Sequence, residues 1–327
     1  MRLFVYGMRM FDEKVFFDRF SEELGIEIGY TESPPSIFNY ALAKGYDAIT
    51  VLTNKIGPEL MDAFRSIGVR LICTRTIGYD HIDLAHASKT GMAVCNVTYD
   101  PIGVAEFTVM LMLMTERKVK MLEARNAAND FRLNDMLGKA IGELRIGIIG
   151  AGLIGVNTLR ILSGFGCELV YYNRSPSEAA DRYARRVGID ELLSTCDIVS
   201  MHLQLNDETH HFLNADSFSK MKDGAVVINT GRGSLIDTEA MISALESGKL
   251  GGAGIDVIEK EFHLYYYDMR GKDLDNPYLD RLRAMDNVIL FHHMAFYCET
   301  SVRGMVHNCL LCAKALEEGR ELPHRLA

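Results

Sequence analysis

Positive charge is what this sequence has too little of to engage nucleic acid. Its 327 residues carry 35 Lys and Arg against 44 Asp and Glu, a formal net charge of −9. A nucleic-acid surface needs clustered cations to displace counterions from phosphates, so no nucleic-acid partner is expected. Long apolar runs are missing too. Residues 109–114, VMLMLM, are bounded by Glu106 and by Glu116-Arg117-Lys118, whereas a membrane-spanning helix needs about 20 apolar residues. A buried helix suits that run better, its methionines filling irregular gaps in a core or at a subunit contact. The N-terminus reaches charge after a short apolar stretch, so neither a signal peptide nor a membrane anchor is expected. Repeats, low-complexity tracts and flexible linkers are absent as well. The seven cysteines (Cys73, Cys95, Cys167, Cys196, Cys298, Cys309 and Cys312) are an odd count, mostly inside apolar runs. That is the pattern of free thiols in a reducing compartment, which makes the cytoplasm the expected location.

What the chain has is alternation. It is 48% hydrophobic and long enough for two ordinary domains. Short apolar segments at 3–6, 48–52 and 71–73 are separated by helix-length amphipathic stretches. A second series follows, at 146–149, 168–172, 198–201, 225–229, 253–257 and 288–291. Strands alternating with helices predict α/β units with parallel, doubly wound sheets. Between the two series, Pro101 disfavours helix at Asp100 and places a hinge at Tyr99-Asp100-Pro101, followed by one helical run over about 104–132. A final amphipathic helix over 301–318 is long enough to return to the first domain. The expected division is therefore 1–99 plus 299–327, and 100–298, with substrate bound at a shared cleft.

The sequence GAGLIG, residues 150–155, directly follows a strand and opens a helix. In that context Gly150 permits a tight turn, Gly152 lets backbone approach a pyrophosphate, and Gly155 lets helix and strand pack closely. Leu153 and Ile154 would present the helix N-terminus to the phosphate charge. The following strand ends at Asn173-Arg174-Ser175. An NAD site places an acid there for the ribose hydroxyls, and that acid would repel the extra phosphate of NADP. Asn173 with a guanidinium and a hydroxyl beside it leads us to expect a preference for NADPH, with NADH possible. The competing account is a solvated turn in which Ser175 or Ser177 caps the next helix. Downstream, Arg232 ends a buried strand between glycines, at the sheet edge where ligands bind in this architecture, and its planar fork can grip a carboxylate. The next two strands close at Asp256 to Glu261 and at His292-His293.

Read together, IGYDHID (77–83), TYDPIGVAE (98–106), GIIGAGLIG (147–155), INTGRGSLIDTEA (228–240), SGKLGGAGIDVIEKE (247–261) and HMAFY (293–297) resemble the D-isomer-specific 2-hydroxyacid dehydrogenases. FGC at 165–167 and NDFRL at 129–133 are similar to its D-lactate dehydrogenase branch, including the vancomycin-resistance D-lactate dehydrogenases. The resemblance implies a flavodoxin-like substrate domain, a Rossmann coenzyme domain, and reduction of a small pyruvate-like 2-oxo acid to the D-2-hydroxy acid. It further implies a homodimer, formed through the long helix of the second domain. By the same resemblance Arg232 binds the substrate carboxylate and carbonyl, His293 is the general acid, and Glu261 orients and charges it, since a neighbouring carboxylate favours imidazolium. Ile77 and Gly78 offer backbone N–H groups to the substrate carboxylate. Tyr99 and Phe296 line the pocket, and Thr230 and Asp256 border the nicotinamide.

Three positions depart from the family pattern. His292 stands where proline is usual, leaving two adjacent histidines expected on opposite faces of a strand, and register against Ala295-Phe296 favours His293. Gln204 replaces another usual proline near the adenosine side, and Asn173 replaces the acid. Cys309 and Cys312 with His307 look like a metal hook but lie on an apolar helix face without a second pair, so no metal is expected. Tyr265-Tyr266-Tyr267 follows the Glu261 loop and could border the cleft, though a loop packing on a neighbouring helix is the more ordinary expectation. A glyoxylate or hydroxypyruvate reductase is the nearest alternative enzyme. A dinucleotide-sensing corepressor is the alternative outside catalysis, disfavoured by the lack of a basic or disordered tail.

Overall fold

A computed structural model describes residues 1–261 and 264–327. The chain divides into two compact units, Met1–Asp100 with Tyr297–Ala327, and Pro101–Phe296.

The first unit has five parallel strands, β1 (Arg2–Tyr6), β2 (Glu27–Thr31), β3 (Ala48–Val51), β4 (Leu71–Thr74) and β5 (Ala93–Cys95), in the order β2-β1-β3-β4-β5. This is the flavodoxin-like order. Every residue of β3 and β4 is buried, as expected of strands covered on both faces, which carry apolar runs instead of alternation. One face packs Phe4, Tyr6, Ile49, Phe64, Ile72 and Val94 into a core. The C-terminal helix Glu299–Glu317 packs against Lys14–Leu24 and β4, burying Val302, Met305, Val306, Cys309, Leu310 and Ala313 at helical spacing. Cys309 and Cys312 meet Cys73 and Cys95 here, the latter two side by side in register on β4 and β5. All four thiols are buried, while the His307 ring turns away to lie on Phe20, centroids 4.6 Å apart. Arg75 is fully buried and paired with the equally buried Glu13, its Nε 3.1 Å from Oε1.

The second unit has seven parallel strands, β6 (Arg145–Ile149), β7 (Glu168–Tyr172), β8 (Arg185–Arg186), β9 (Ile198–Met201), β10 (Ala225–Asn229), β11 (Leu250–Ile255) and β12 (Val288–Leu290). Their order, β12-β11-β10-β9-β6-β7-β8, is the Rossmann order extended by one strand, with its switch point between β6 and β9. Two of the expected elements differ from the sequence-based expectation by more than two residues. The single helix expected over 104–132 is two, Ile102–Glu116 and Val119–Ala127, because Lys118 adopts a left-handed conformation with φ 52° and its ammonium is bound by the Asp135 carbonyl. And β11 starts at Leu250, not 253, through a glycine-rich stretch that strand propensity disfavours. Packing explains the glycines. A Cβ on Gly254 would lie 2.7 Å from Ile228 Cδ1 and 3.1 Å from Leu111 Cβ, so the strand gives up side chains to let the helix Ile102–Glu116 approach. Among the described residues no helix is long and apolar enough to cross a membrane.

Candidate active site

The loop after β6 is built for a ligand that approaches backbone. Gly150 has φ 99°, and a Cβ there would lie 2.6 Å from the His202 carbonyl oxygen. A Cβ on Gly155 would lie 2.0 Å from the Gly150 oxygen. Gly152, at the N-cap of the helix Leu153–Ser163, has open space beside it and Leu153 is 66% exposed. The first N–H groups of a helix have no intrahelical acceptor and carry the positive end of its dipole. Glycine at 150, 152 and 155 thus leaves a concave, electropositive cradle suited to a pyrophosphate, and the residues present fit a dinucleotide.

At the end of β7, Asn173 is engaged with its own surroundings. Its Oδ1 accepts from the Ala151 N–H at 3.3 Å and its Nδ2 donates to the Ser175 carbonyl at 2.9 Å. The Arg174 side chain is 89% exposed and pairs with Glu208 at 3.3 Å, an exposed contact worth little. Ser177 caps the following turn, accepting from the Ala180 N–H, so the capping account holds for Ser177. The sequence reading missed Arg186 on the edge strand β8. Its guanidinium donates to the Asn173 and Arg174 carbonyls and places a second cation at this corner. Only the sheet order brings it there, since β8 pairs with β7.

The three catalytic candidates follow neighbouring strands at the same sheet edge: Arg232 after β10, Glu261 after β11 and His293 after β12. Asn229, 1% exposed at the end of β10, shapes the first loop by accepting from the Gly231 N–H and donating to the Arg232 carbonyl. That loop lies directly on the next one, for a Cβ on Gly233 would fall 2.1 Å from the Ile258 carbonyl carbon. The Glu261 carboxylate receives the Ile258 N–H on Oε2 at 3.0 Å, and its Oε1 lies 2.7 Å from His293 Nδ1. Glu261 at Nδ1 leaves Nε2 as the ring nitrogen available to a reacting group. Both side chains are mostly buried, 14% and 18% exposed.

His293 is held from behind. Its N–H donates to the Asp256 carbonyl at 2.7 Å, and the fully buried Asp256 carboxylate takes the N–H groups of Met294 and Ala295, both at 2.8 Å. Burial raises the Asp256 pKa and these backbone donors oppose the rise. Thr230 is 7% exposed, its hydroxyl 2.8 Å from that of Thr108, which itself donates to the Val104 carbonyl. The expectation that His292 and His293 occupy opposite faces of a strand is corrected: β12 ends at Leu290, and His293 is left-handed with φ 60°. The turn, not strand alternation, separates them. His292 is exposed and packs edge-on against Tyr265, centroids 6.1 Å apart. Tyr266 follows the other of the two accounts of its aromatic run, lying beside the catalytic candidates and not only against a helix. Its hydroxyl donates to the His293 carbonyl at 2.8 Å, and its ring meets the rings of His293 and Phe296. Near the start of the same segment, Glu259 bridges His211 Nε2 at 2.8 Å and the Thr238 N–H at 3.0 Å.

In the first unit, Ile77 and Gly78 lie beyond β4 on a polar frame. Asn96 Nδ2 donates to the Ile77 carbonyl at 2.7 Å, and the Thr76 hydroxyl donates to the Gly78 carbonyl at 2.6 Å. Among the described residues neither of their N–H groups donates to a backbone carbonyl. Tyr99 lies against the C-terminal helix, where only glycine fits: a Cβ on Gly304 would come within 2.9 Å of the Tyr99 Cβ.

Two doubly wound units, a glycine cradle at a switch point and a carboxylate-paired histidine define a dinucleotide-dependent oxidoreductase. Comparison narrows the class. The family model for the D-isomer specific 2-hydroxyacid dehydrogenase NAD binding domain matches residues 109–295. A D-specific alpha-keto acid dehydrogenase of Enterococcus faecium is 38% identical over 94% of this chain and 95% of its own. An aromatic 2-oxoacid reductase of Clostridium sporogenes is 34% identical over 97% and 96%. A crystal structure from Treponema pallidum, described as a D-lactate dehydrogenase, superposes with a TM-score of 0.90 at 30% identity, each chain covered in full. The chain belongs to the D-isomer-specific 2-hydroxyacid dehydrogenases, enzymes that interconvert 2-oxo acids and D-2-hydroxy acids with a nicotinamide dinucleotide.

Proposed function

We propose that the preferred reaction is reduction of a small, pyruvate-like 2-oxo acid to the D-2-hydroxy acid. The observation that carries this reading is the 2.7 Å contact between His293 Nδ1 and Glu261, next to the loop that bears Arg232. Arg232 pairs with the substrate carboxylate and polarises the carbonyl oxygen as charge develops on it. On the family resemblance, Ile77, Gly78, Tyr99 and Phe296 are the further substrate-binding residues. The reduced nicotinamide supplies the hydride when bound. His293, with Glu261 fixing its Nδ1–H, delivers the proton from Nε2 to the nascent alkoxide, completing the hydroxyl. Residues 1–99 with 299–327 act as the substrate domain and 100–298 as the dinucleotide domain.

Gly150, Gly152, Leu153, Ile154 and Gly155 hold the pyrophosphate, while Thr230 and Asp256 support the nicotinamide end. NADPH is preferred over NADH, because Asn173 brings no negative charge to the 2′ position and Arg174, Ser175 and Arg186 surround it. The working form is a homodimer. Phe131, Leu133 and Leu137, 73%, 87% and 89% exposed in the stretch after Val119–Ala127, are apolar surface that a second copy would cover. Seven free thiols suit the cytoplasm. The test is steady-state kinetics with pyruvate and a series of bulkier 2-oxo acids, each with NADPH and with NADH. Highest kcat/KM for pyruvate with NADPH is expected. A preference for aromatic 2-oxo acids, or for NADH, would remove the corresponding half of the proposal.

A further inference from the structure

Two glutamates follow β11 on either side of Lys260, and each has a histidine of its own. Glu261 Oε1 faces His293 Nδ1 at 2.7 Å. Glu259 Oε1 lies 2.8 Å from His211 Nε2, and its Oε2 accepts the N–H of Thr238 at 3.0 Å, where the helix Thr238–Glu246 begins. A carboxylate offers only acceptors, so Nε2 is the protonated nitrogen of that ring. His211 Nδ1 is 3.9 Å from Asp237 Oδ2, beyond hydrogen-bond reach. Between the two glutamates the chain turns at Lys260, which is left-handed with φ 58°. A residue with a Cβ is uncommon in that region and stays there only where its surroundings hold it. Glu259 supplies the hold on one side of the turn, and the Ile258 N–H bond to Glu261 supplies it on the other. Asn276 adds to it, its Nδ2 donating to the Glu259 carbonyl at 3.0 Å.

His211 also reaches the Arg232 loop. Its N–H donates to the Ser234 carbonyl at 2.8 Å and the Leu213 N–H to the Leu235 carbonyl at 3.1 Å, so residues 211–213 run beside the turn Gly233–Leu235 as a short backbone ladder. That turn rests on the Glu259 segment, for a Cβ on Gly233 would meet the Ile258 carbonyl carbon at 2.1 Å and the Glu259 nitrogen at 2.5 Å. One residue thus touches the supports of both loops. An ion pair on an open surface would do little of this. Here the Glu259 side chain is 14% exposed and that of His211 33%, and the second carboxylate oxygen is fixed by the N-terminus of a helix, which favours negative charge. We propose, resting on the catalytic reading of Arg232, Glu261 and His293, that His211 is a positioning residue of the active site. It holds Glu259 against the helix Thr238–Glu246, and this anchor keeps the left-handed turn at Lys260 that leaves Glu261 for His293.

Two substitutions of different length test this. His211→Gln carries an amide donor as far out as Nε2, and its kcat with pyruvate and reduced dinucleotide is expected to stay within about threefold of the parent. Asparagine tolerates the left-handed backbone at residue 211, φ 50°, but its amide stops near the position of Nδ1. His211→Asn is therefore expected to lose at least about tenfold in kcat. The Kd of the dinucleotide, from calorimetric titration without substrate, is expected to change less than about twofold in both, because the Gly150 cradle is untouched. In a Glu259→Ala background His211→Asn is expected to cost no more than about threefold further, as it must if it acts through that carboxylate. Should His211→Asn fold poorly, Glu259→Gln takes its place with the same loss expected, since an amide accepts at one oxygen only. Unchanged kcat in the variant measured, equal losses in His211→Asn and His211→Gln, a dinucleotide Kd that weakens in step, or fully additive losses with Glu259→Ala would overturn the proposal. His293→Gln is measured alongside. Retained turnover there would remove the catalytic reading itself, whereas lost turnover there with an unaffected His211→Asn removes the positioning role alone.

Discussion

Asp256 and His293 are joined through the backbone: the His293 N–H donates to the Asp256 carbonyl, and the Asp256 carboxylate caps the next two N–H groups, of Met294 and Ala295. The general-acid candidate owes its left-handed conformation to this three-point hold. Asp256→Asn replaces one acceptor oxygen with an amide that cannot receive an N–H. Loss of one buried charge-assisted bond costs about 2 kcal/mol. The variant is therefore expected to melt earlier and, because the His293 ring is no longer fixed, to lose at least about tenfold in kcat with a smaller change in KM. Calorimetry and steady-state kinetics on the same preparation check both. An Asp256→Asn enzyme with unchanged kcat would show that the staple does not position the imidazole.

The adjacent histidines separate cleanly. His293 contacts Glu261 and Tyr266, whereas His292 is exposed and touches Tyr265. His293→Gln is expected to lower turnover by about 10²–10⁴, the usual worth of a positioned acid, and His292→Pro to retain it. Glu261→Gln keeps a hydrogen-bond acceptor beside Nδ1 but removes the charge that faces the ring, so kcat for reduction is expected to fall by at least about tenfold while KM changes less. Profiles of kcat/KM for the three variants decide the matter, and a His292-dependent profile would reassign the acid.

Much of this was legible in the sequence because parallel strands buried on both faces are continuous apolar runs, as β3, β4, β9 and β10 are. The glycine cradle was legible for a similar reason: each glycine answers a local steric demand. What escaped the reading depended on tertiary proximity or on turn geometry. Arg186 comes to the cofactor corner only because β8 pairs with β7, and Tyr266 reaches the His293 carbonyl across a loop. The break at Lys118 rests on one left-handed residue in an otherwise helical pattern, and β11 starts in glycines that propensity counts against.

His202 sits beside the cradle, its carbonyl facing Gly150 and its Nε2 2.9 Å from the Ser200 hydroxyl. Burial pulls its pKa down to about 4, so the folded state keeps it neutral where the unfolded chain, with an ordinary value of about 6.5, takes up a proton. The unfolded state thus binds more protons between these values. Stability is fully present above about pH 6.5 and falls as pH drops toward about 4, by roughly 2 kcal/mol from this group after allowance for its partial exposure. In denaturant melts from pH 7.5 to 4.5 the parent is expected to lose stability relative to His202→Gln as pH falls. An NMR titration placing the His202 pKa near 6.5 would refute the assignment.

The proposed preference for NADPH is tested at Asn173. Its Oδ1 accepts the Ala151 N–H, a contact that aspartate can reproduce, while its Nδ2 bond to the Ser175 carbonyl is one that aspartate cannot make. Asn173→Asp therefore keeps the link between the two loops and adds a negative charge where a 2′-phosphate would lie. That charge is expected to lower kcat/KM for NADPH by at least about tenfold and to raise it for NADH, whose ribose hydroxyls it can bind. Arg174→Ala is expected to weaken NADPH alone and more mildly, since its guanidinium is solvated and shared with Glu208. Raising ionic strength should shrink the Arg174 effect and leave most of the Asn173→Asp effect, because screening acts on exposed charges far more than on one facing a bound phosphate. Equal losses with both cofactors in Asn173→Asp would mean that the substitution disturbs the Gly150 loop instead of reading the phosphate, and the assignment of this corner to NADPH would fall.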